Sequence, residues 1–434
     1  LNIWLVQDGE PLPEIDPGSR DWRCAILART LVAQGHEVLW WASTFDHAQK
    51  RYRYHQARTV ELASGVKIRL LHGLGYKSNR SPKRFLHQRA LARAFAQEMS
   101  ALPAPDIIVC GMPLPELAEQ AIIYGRKYQV PVVIDVRDQW PDIYLTMFPR
   151  SLRRFARLAF TSEFRRIERI FRSASAILSV SETYLNWALK HAGHPKRSLD
   201  AVFPLGYRAF EKTADMTETA KFRIKYGIRP NSMVVTFVGI FGFSYDLETV
   251  VRAAKALQDR AVTNVQIVLV GDGDEGPRVR EMASGISDLI CTGWLDQESI
   301  RILLALSSVG LAAYKEEATQ TLPNKPFEYM AAGLPLLSSL RGELEDLIRN
   351  ERIGLQYQAR DVDSLVEKIQ WLAANPETAR AMGQRALRLF EERFRSDVIY
   401  SQLVQHLERI VQSYAYGGKT SMSEREQLGG CCDS

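Results

Sequence analysis

Lys325 and Glu328 stand three positions apart in the stretch "TQTLPNKPFEYMAAGLP" (319–335), inside what reads as a helix about two turns long. Pro326 suits the first helical position, where its missing N–H costs nothing, and Gly333 followed by Pro335 ends the helix. On that register Lys325 is the N-cap and Glu328 falls at N3. An acid there could simply offset the helix dipole, worth a few tenths to about 1 kcal/mol. The lysine argues for more. A cation at a helix N-terminus is unfavourable unless an anion lies nearby, and a diphosphate would satisfy both the free N–H groups and the ammonium. A carboxylate one turn further in can accept hydrogen bonds from a ribose diol, so the pair predicts a cradle for a nucleotide-diphosphate sugar.

Other stretches carry two readings each. "GDGDEG" (271–276) matches G-x-G-x-x-G, yet Asp272, Asp274 and Glu275 would face the pyrophosphate, and Pro277 stands where helix packing should begin. A turn is expected there, with neither a dinucleotide nor a metal clamped by the D-x-D triplet. "VVIDVRDQWPD" (132–142) crowds Asp135, Arg137, Asp138 and Trp140 at a strand end. These residues either form a buried Asp–Arg pair holding a loop or orient an acceptor hydroxyl and steady charge on a leaving phosphate. Gly18 in "IDPGSRDW" reads as turn chemistry before a helix, with Arg20 as a cationic neighbour. Trp294, after "LICTG", either lines a nucleobase or fills the core.

Short apolar runs alternate with longer amphipathic stretches twice over, the pattern of parallel α/β sheets. Strands are expected near 2–7, 37–42, 66–71, 106–110, 131–136, 175–180 and 200–203, then again at 234–239, 265–271, 288–293, 309–314 and 334–339. Helices are expected between them, one of them continuous over 150–173. "FPLGYRAF" (203–210) reads as the linker. The domains are then 1–205, with a C-terminal helix at 396–414 packing back on it, and 206–395, followed by a disordered tail at 415–434. Ligands of doubly wound sheets bind outside the carboxyl ends of the strands, so the chemistry is expected in a cleft between the two domains.

Charge separates the halves. Residues 1–210 hold 30 Lys+Arg against 19 Asp+Glu, whereas the remainder is acidic within a net charge of +6. Twelve basic side chains lie in 50–95 and eight arginines in 150–172. Such surfaces attract nucleic acid or anionic lipid. No apolar run approaches the roughly 20 residues needed to span a bilayer. The opening "LNIWLV" lacks the marks of a signal peptide, and five cysteines without metal-ligand spacing suit a reducing cytoplasm.

"LPNKPFEYMAAG" and "DVRDQWP", with "LARTLVAQGHEV" (27–38), "VFPLGY" (202–207) and "DLETVVRAA" (246–254), resemble glycosyltransferase family 4 over nearly the whole chain. The resemblance implies the GT-B fold, two Rossmann-like domains with parallel sheets facing a central cleft. It also implies a retaining glycosyltransferase that needs neither metal nor cofactor, because the leaving diphosphate takes the acceptor proton. Donor contacts are implied at Gln320, Thr321, Leu322, Asn324, Lys325 and Glu328, at Gly242, and at Trp294 for the base. Catalytic roles are implied for Arg137, Asp138 and Lys325, and Gly18 with Arg20 is implied to approach the diphosphate or acceptor. Two departures stand out: Gln320, or Glu317 nearby, replaces the family's first glutamate, and "GIFGFSYDLE" lacks the cations that grip the diphosphate. The reaction expected is transfer of a hexosyl or N-acetylhexosaminyl group from a UDP-sugar to a lipid-linked or glycan acceptor. Its place would be cell-envelope or surface-polysaccharide assembly, peripheral on the inner face of an anionic membrane. A UDP-sugar 2-epimerase of the same architecture is the alternative enzyme. A nucleic-acid-binding protein is the alternative without chemistry, and it leaves Lys325 and Glu328 unexplained.

Overall fold

A computed structural model describes residues 1–16, 21–78, 81–145, 148–210 and 215–429. The chain divides into two compact units, Leu1–Phe203 with Tyr400–Ser434, and Pro204–Ile399.

The first unit is built on an eight-stranded sheet. Its spatial order is Ala201–Val202, Ala176–Ser179, Val132–Val136, Ile107–Met112, Asn2–Val6, Glu37–Ser43, Lys67–Leu71 and Arg58–Glu61. All pairs are parallel except the last, where Arg58–Glu61 runs antiparallel to its neighbour. That edge strand escapes the sequence reading because its residues are mostly exposed and show no apolar run. The central strands are apolar along their whole length, as Val132–Val136 is, because helices cover both faces. Order reverses between Asn2–Val6 and Ile107–Met112, which sets the switch point of this unit there.

The second unit repeats the plan with six parallel strands. The order is Leu289–Gly293, Val265–Val270, Met233–Val238, Val309–Ala312, Leu336–Ser338 and Gly354–Gln356. Two apolar clusters sandwich this sheet, one under each layer of helices. Its switch point lies between Met233–Val238 and Val309–Ala312.

Three expectations change. The helix over 150–173 is broken into a short turn at Arg150–Leu152 and helices Arg153–Ala159 and Thr161–Ser173. At the break the Thr161 hydroxyl donates to Leu158 O at 2.7 Å, a local bond that competes with continuing the helix. The linker is not free chain, since Tyr207 N–H donates to Phe394 O at 3.0 Å and Ser396 N–H to Tyr207 O at 2.9 Å. Gly206, at φ +65°, permits that approach, because a Cβ there would lie 2.9 Å from Phe394 O. The last helix runs Ser396–Gly429, past the 414 at which the sequence reading ended it. The good helix formers of its extension cluster in the run Glu424–Leu428, after the glycines at 417 and 418.

Candidate functional site

The helix carrying Lys325 is Asn324–Ala331, two residues ahead of the expected register, with Pro323 as N-cap. Glu328 is therefore beyond the first turn, and no acid sits there to offset the dipole. Pro323 and Pro326 have no N–H, so Asn324 and Lys325 are left with the open donors. Among the described residues neither N–H has a partner. At the far end Gly333, φ +69°, closes a Schellman motif: Leu334 N–H reaches Tyr329 O and Gly333 N–H reaches Met330 O, each at 3.0 Å.

Tyr329 fastens this helix to the switch point. Its hydroxyl donates to Leu311 O at 3.1 Å and accepts from Val238 N–H at 3.0 Å, joining the two strands where their own ladder has stopped. Gly310 makes room, because a Cβ there would lie 2.3 Å from the Tyr329 ring. Phe327 packs on Phe394 at 4.8 Å between ring centroids.

So held, Lys325 extends its ammonium to the carboxyl end of Met233–Val238. Its Nζ lies 5.0 Å from the Phe237 ring centroid and 4.4 Å from that of Tyr245. A Cβ on Gly239 would come within 1.9 Å of Nζ, so only glycine leaves the ammonium its place. No carboxylate among the described residues pairs with it. Aromatic faces stabilise a cation without neutralising it, so the charge stays available to an anion.

Glu328 is buried, and Tyr207 donates its hydroxyl to Glu328 Oε1 at 2.8 Å. Gln320 donates to Ser244 Oγ at 3.4 Å, and its Oε1 is buried without a partner. Glu317 faces elsewhere, in a two-pronged pair with Arg360 at 2.8 Å. Thr321 O accepts from Leu344 N–H, Leu322 is half-buried against the core, and Asn324 is exposed. Trp294 is 64% exposed at the end of the sheet's edge strand, which rules out a core role. Gly242 does not offer its N–H, which is already donated to Ile240 O at 3.0 Å. The glycine that matters in that loop is Gly239, whose signal was its place directly after the strand. Lys315 was also missed. Its Nζ lies 4.8 Å over the exposed Phe243 ring, bringing a cation to the loop that has none of its own.

"GDGDEG" turns over 273–275, as expected, but a helix, Gly276–Ala283, begins at its last glycine with Pro277 in the first turn. Gly271 and Gly273 let the stretch press against the backbone of 239–241, and Asp272 pairs with Arg280 at 2.9 Å.

In the first unit Arg137 is held rather than presented. Its Nε donates to Asp135 Oδ2 at 2.8 Å, and an Nη1 contact binds Glu10. Arg23 grips the same Asp135 through two bonds, at 2.8 and 2.9 Å. Burial alone would raise the Asp135 pKa, but Arg23 and Arg137 hold it well below the usual carboxylate range. Asp138 differs: burial raises it, and its Oδ1 accepts from Gln139 N–H at 2.7 Å. Gly18 and Arg20 lie outside the described residues.

The carboxyl ends of this sheet also carry His47, whose Nδ1 contacts the Tyr76 hydroxyl. Burial, with Lys50 and Arg84 nearby, pushes this imidazole from its ordinary 6.5 down to about 4. The unfolded chain then binds a proton between those values that the folded chain does not. Stability attributable to His47 is full above pH 6.5 and declines as the pH falls toward 4. The expected loss is about 1–2 kcal/mol, less than full linkage because the ring is only partly buried. Urea unfolding at pH 7.0 and 4.5 should show it, and His47→Gln should flatten that part of the profile; an unchanged slope would remove His47 as the cause.

Two family models match. Residues 23–203 match "Glycosyltransferase Family 4" and residues 232–375 match "Glycosyl transferases group 1", together most of the chain. The chain belongs to glycosyltransferase family 4. This glycosyltransferase is 26% identical over 192 residues to N-acetyl-alpha-D-glucosaminyl L-malate synthase of Bacillus anthracis, covering 43% of this chain and 48% of that protein. It is 25% identical over 249 residues to O-antigen chain mannosyltransferase C of Escherichia coli, covering 57% and 64%. The matched stretches thus span about half to just under two-thirds of those relatives. Among solved structures, sucrose-phosphate synthase from Thermosynechococcus elongatus superposes with TM-score 0.70 at 17% identity, covering 95% of this chain and 99% of that one. Anabaena HepE in complex with UDP superposes at 0.67 and 15%, covering 94% and 99%. The fold of this glycosyltransferase is GT-B.

Proposed function

We propose that this enzyme is a retaining transferase that moves a hexosyl or N-acetylhexosaminyl group from a UDP-sugar to a lipid-linked or glycan acceptor. The carrying observation is the Lys325 ammonium, seated on Phe237 and Tyr245 against Gly239, with two open N–H groups beside it and no carboxylate partner. In this reading the donor diphosphate takes the ammonium and those N–H groups, while Glu328, steadied by Tyr207, accepts from the ribose diol. Gln320 Oε1, an unmet buried acceptor, receives a hydroxyl of the transferred sugar. Trp294 lies against the base, and Thr321, Leu322 and Asn324 border the donor.

Lys325 stabilises charge growing on the leaving diphosphate, which itself takes the acceptor proton on the front face. Arg137 serves by fixing the loop that ends in Asp138, whose carboxylate accepts a hydrogen bond from the acceptor hydroxyl and orients it. UDP as the nucleotide is supported by HepE, solved with UDP and with UDP-glucose. An envelope acceptor is supported by the E. coli relative, an O-antigen mannosyltransferase, and by WaaG, a glycosyltransferase involved in lipopolysaccharide biosynthesis that superposes at TM-score 0.63 and 14% identity over 93% of this chain and 98% of that one. With a lipid-linked acceptor the enzyme works, in this reading, at the inner face of a membrane. No helix among the described residues is long and apolar enough to cross one.

Thermal shift tests the donor. UDP at about 100 times its Kd should stabilise the second unit by about 2.7 kcal/mol, while UMP and NAD should not. Glu328→Gln should remove most of the shift. A shift from NAD equal to that from UDP would end this reading. With a matched acceptor, the anomeric coupling constant of the product tests retention; an inverted linkage would refute it.

A further inference from the structure

Large apolar side chains are exposed at many places, but among the described residues nowhere else do four fall in one short stretch as Phe148, Leu152, Phe155 and Leu158 do. Phe155 and Leu158 are 70% and 71% exposed. Leu152, Phe155 and Leu158 recur every third residue, which sets them on one side of the turn and helix at 150–159. That helix buries Ala156 alone, whereas the next, Thr161–Ser173, buries Phe164, Ile167, Ile170 and Phe171. Core packing therefore accounts for the apolar residues of the second helix and for none of the large ones in the first.

Ion pairs sort the arginines in the same way. Arg166 is bound by Glu163 at 2.8 Å and Glu116 at 3.2 Å, and Arg169 by Glu119 at 3.0 Å. Arg153, Arg154 and Arg165 meet no carboxylate among the described residues. Arg153, bonded among the described residues only to Phe148 O at 3.2 Å, and Arg154 thus border the exposed apolar stripe without a carboxylate, while Arg157 on the same helix lies 3.7 Å from Asp142. An exposed stripe of Phe and Leu beside arginines without carboxylate partners matches a bilayer surface, which offers phosphates to the cations and an acyl boundary to the apolar side chains in one plane.

We propose that the Phe148–Leu158 segment docks this enzyme on an anionic lipid surface. Leu152, Phe155 and Leu158 enter the boundary between headgroups and acyl chains, while Arg153 and Arg154 sit among the lipid phosphates. This inference deepens the membrane part of the proposed function and does not depend on the transfer chemistry.

Co-sedimentation of the full chain with vesicles of phosphatidylglycerol and phosphatidylcholine, against phosphatidylcholine alone, tests it. Binding should require phosphatidylglycerol and weaken with salt. Phe155→Asp with Leu158→Asp should weaken it roughly tenfold or more, as the loss of two buried apolar side chains predicts. Arg153→Gln with Arg154→Gln should weaken it and remove part of the salt dependence. Melting temperature and the shift with UDP should be unchanged in both variants, which separates lost docking from a misfolded chain. Absence of vesicle binding, or binding undisturbed by the aspartates, would overturn the proposal. So would a change from dimer to monomer in the aspartate variant without effect on vesicles, which would assign the stripe to a second copy of the chain. A chain that binds UDP and ignores vesicles loses only this inference; one that binds vesicles and ignores UDP loses only the donor reading.

Discussion

Lys325→Ala is expected to lower kcat/KM by roughly two to three orders of magnitude, the usual cost of deleting a charged group that stabilises a developing anion. Most of that loss should appear in kcat, since charge on the leaving diphosphate grows toward the transition state, and UDP affinity should fall about tenfold. Stability should change by no more than about 1 kcal/mol, because the ammonium has aromatic contacts and no ion pair to lose. Gly239→Ala should mimic the defect with the lysine intact, since the new methyl group would occupy the ammonium's position. Lys325→Arg should not rescue it, because the gap beside Gly239 is cut to a single ammonium. Steady-state kinetics with UDP titration by calorimetry would decide. A Lys325→Ala enzyme within a few-fold of the parent would sink the donor assignment.

Asp135→Asn is expected to produce the largest loss of stability, about 3–5 kcal/mol, by leaving two buried guanidinium groups without their shared carboxylate. Arg23 would lose the negative charge behind two of its bonds and Arg137 the charge behind one. The effect should be confined to the first unit. Six of the eight tryptophans lie there, so tryptophan fluorescence during urea unfolding reports that unit preferentially. An Asp135→Asn chain that unfolds with the parent would show that the cluster does not hold this end of the sheet.

The architecture was legible because parallel strands covered on both faces write themselves as short apolar runs. "VVIDV" and "VQIVLV" could scarcely be anything else once helical stretches separated them. The exposed edge strand Arg58–Glu61 had no such run and went unread. Lys325 and Glu328 were legible as a pair because a lysine at a helix mouth conflicts with the local electrostatics unless something answers it. Their register was not, since Pro323 and Pro326 each satisfy a first-turn position and only the backbone angles choose between them. Arg137 showed the limit of reading charge from a motif. The sequence presents a cation after a strand, but the folded chain surrounds it with Glu10 and Asp135, one of them far away in sequence.

By itself, then, the sequence determined the two α/β units, the short helix with its closing Gly333, and the chemical types gathered near it. These follow from local periodicity and backbone preference, which neighbouring residues decide among themselves. Tertiary structure alone decided which charges remain unpaired. Lys325 stays free because Gly239 and two rings receive it, Arg137 is bound because Glu10 reaches it, and Arg153 and Arg154 stay open while Arg166 is claimed by Glu116. Ion pairing depends on distances between residues remote along the chain, so one lysine in "LPNK" kept the charge that its neighbours in sequence could neither grant nor remove.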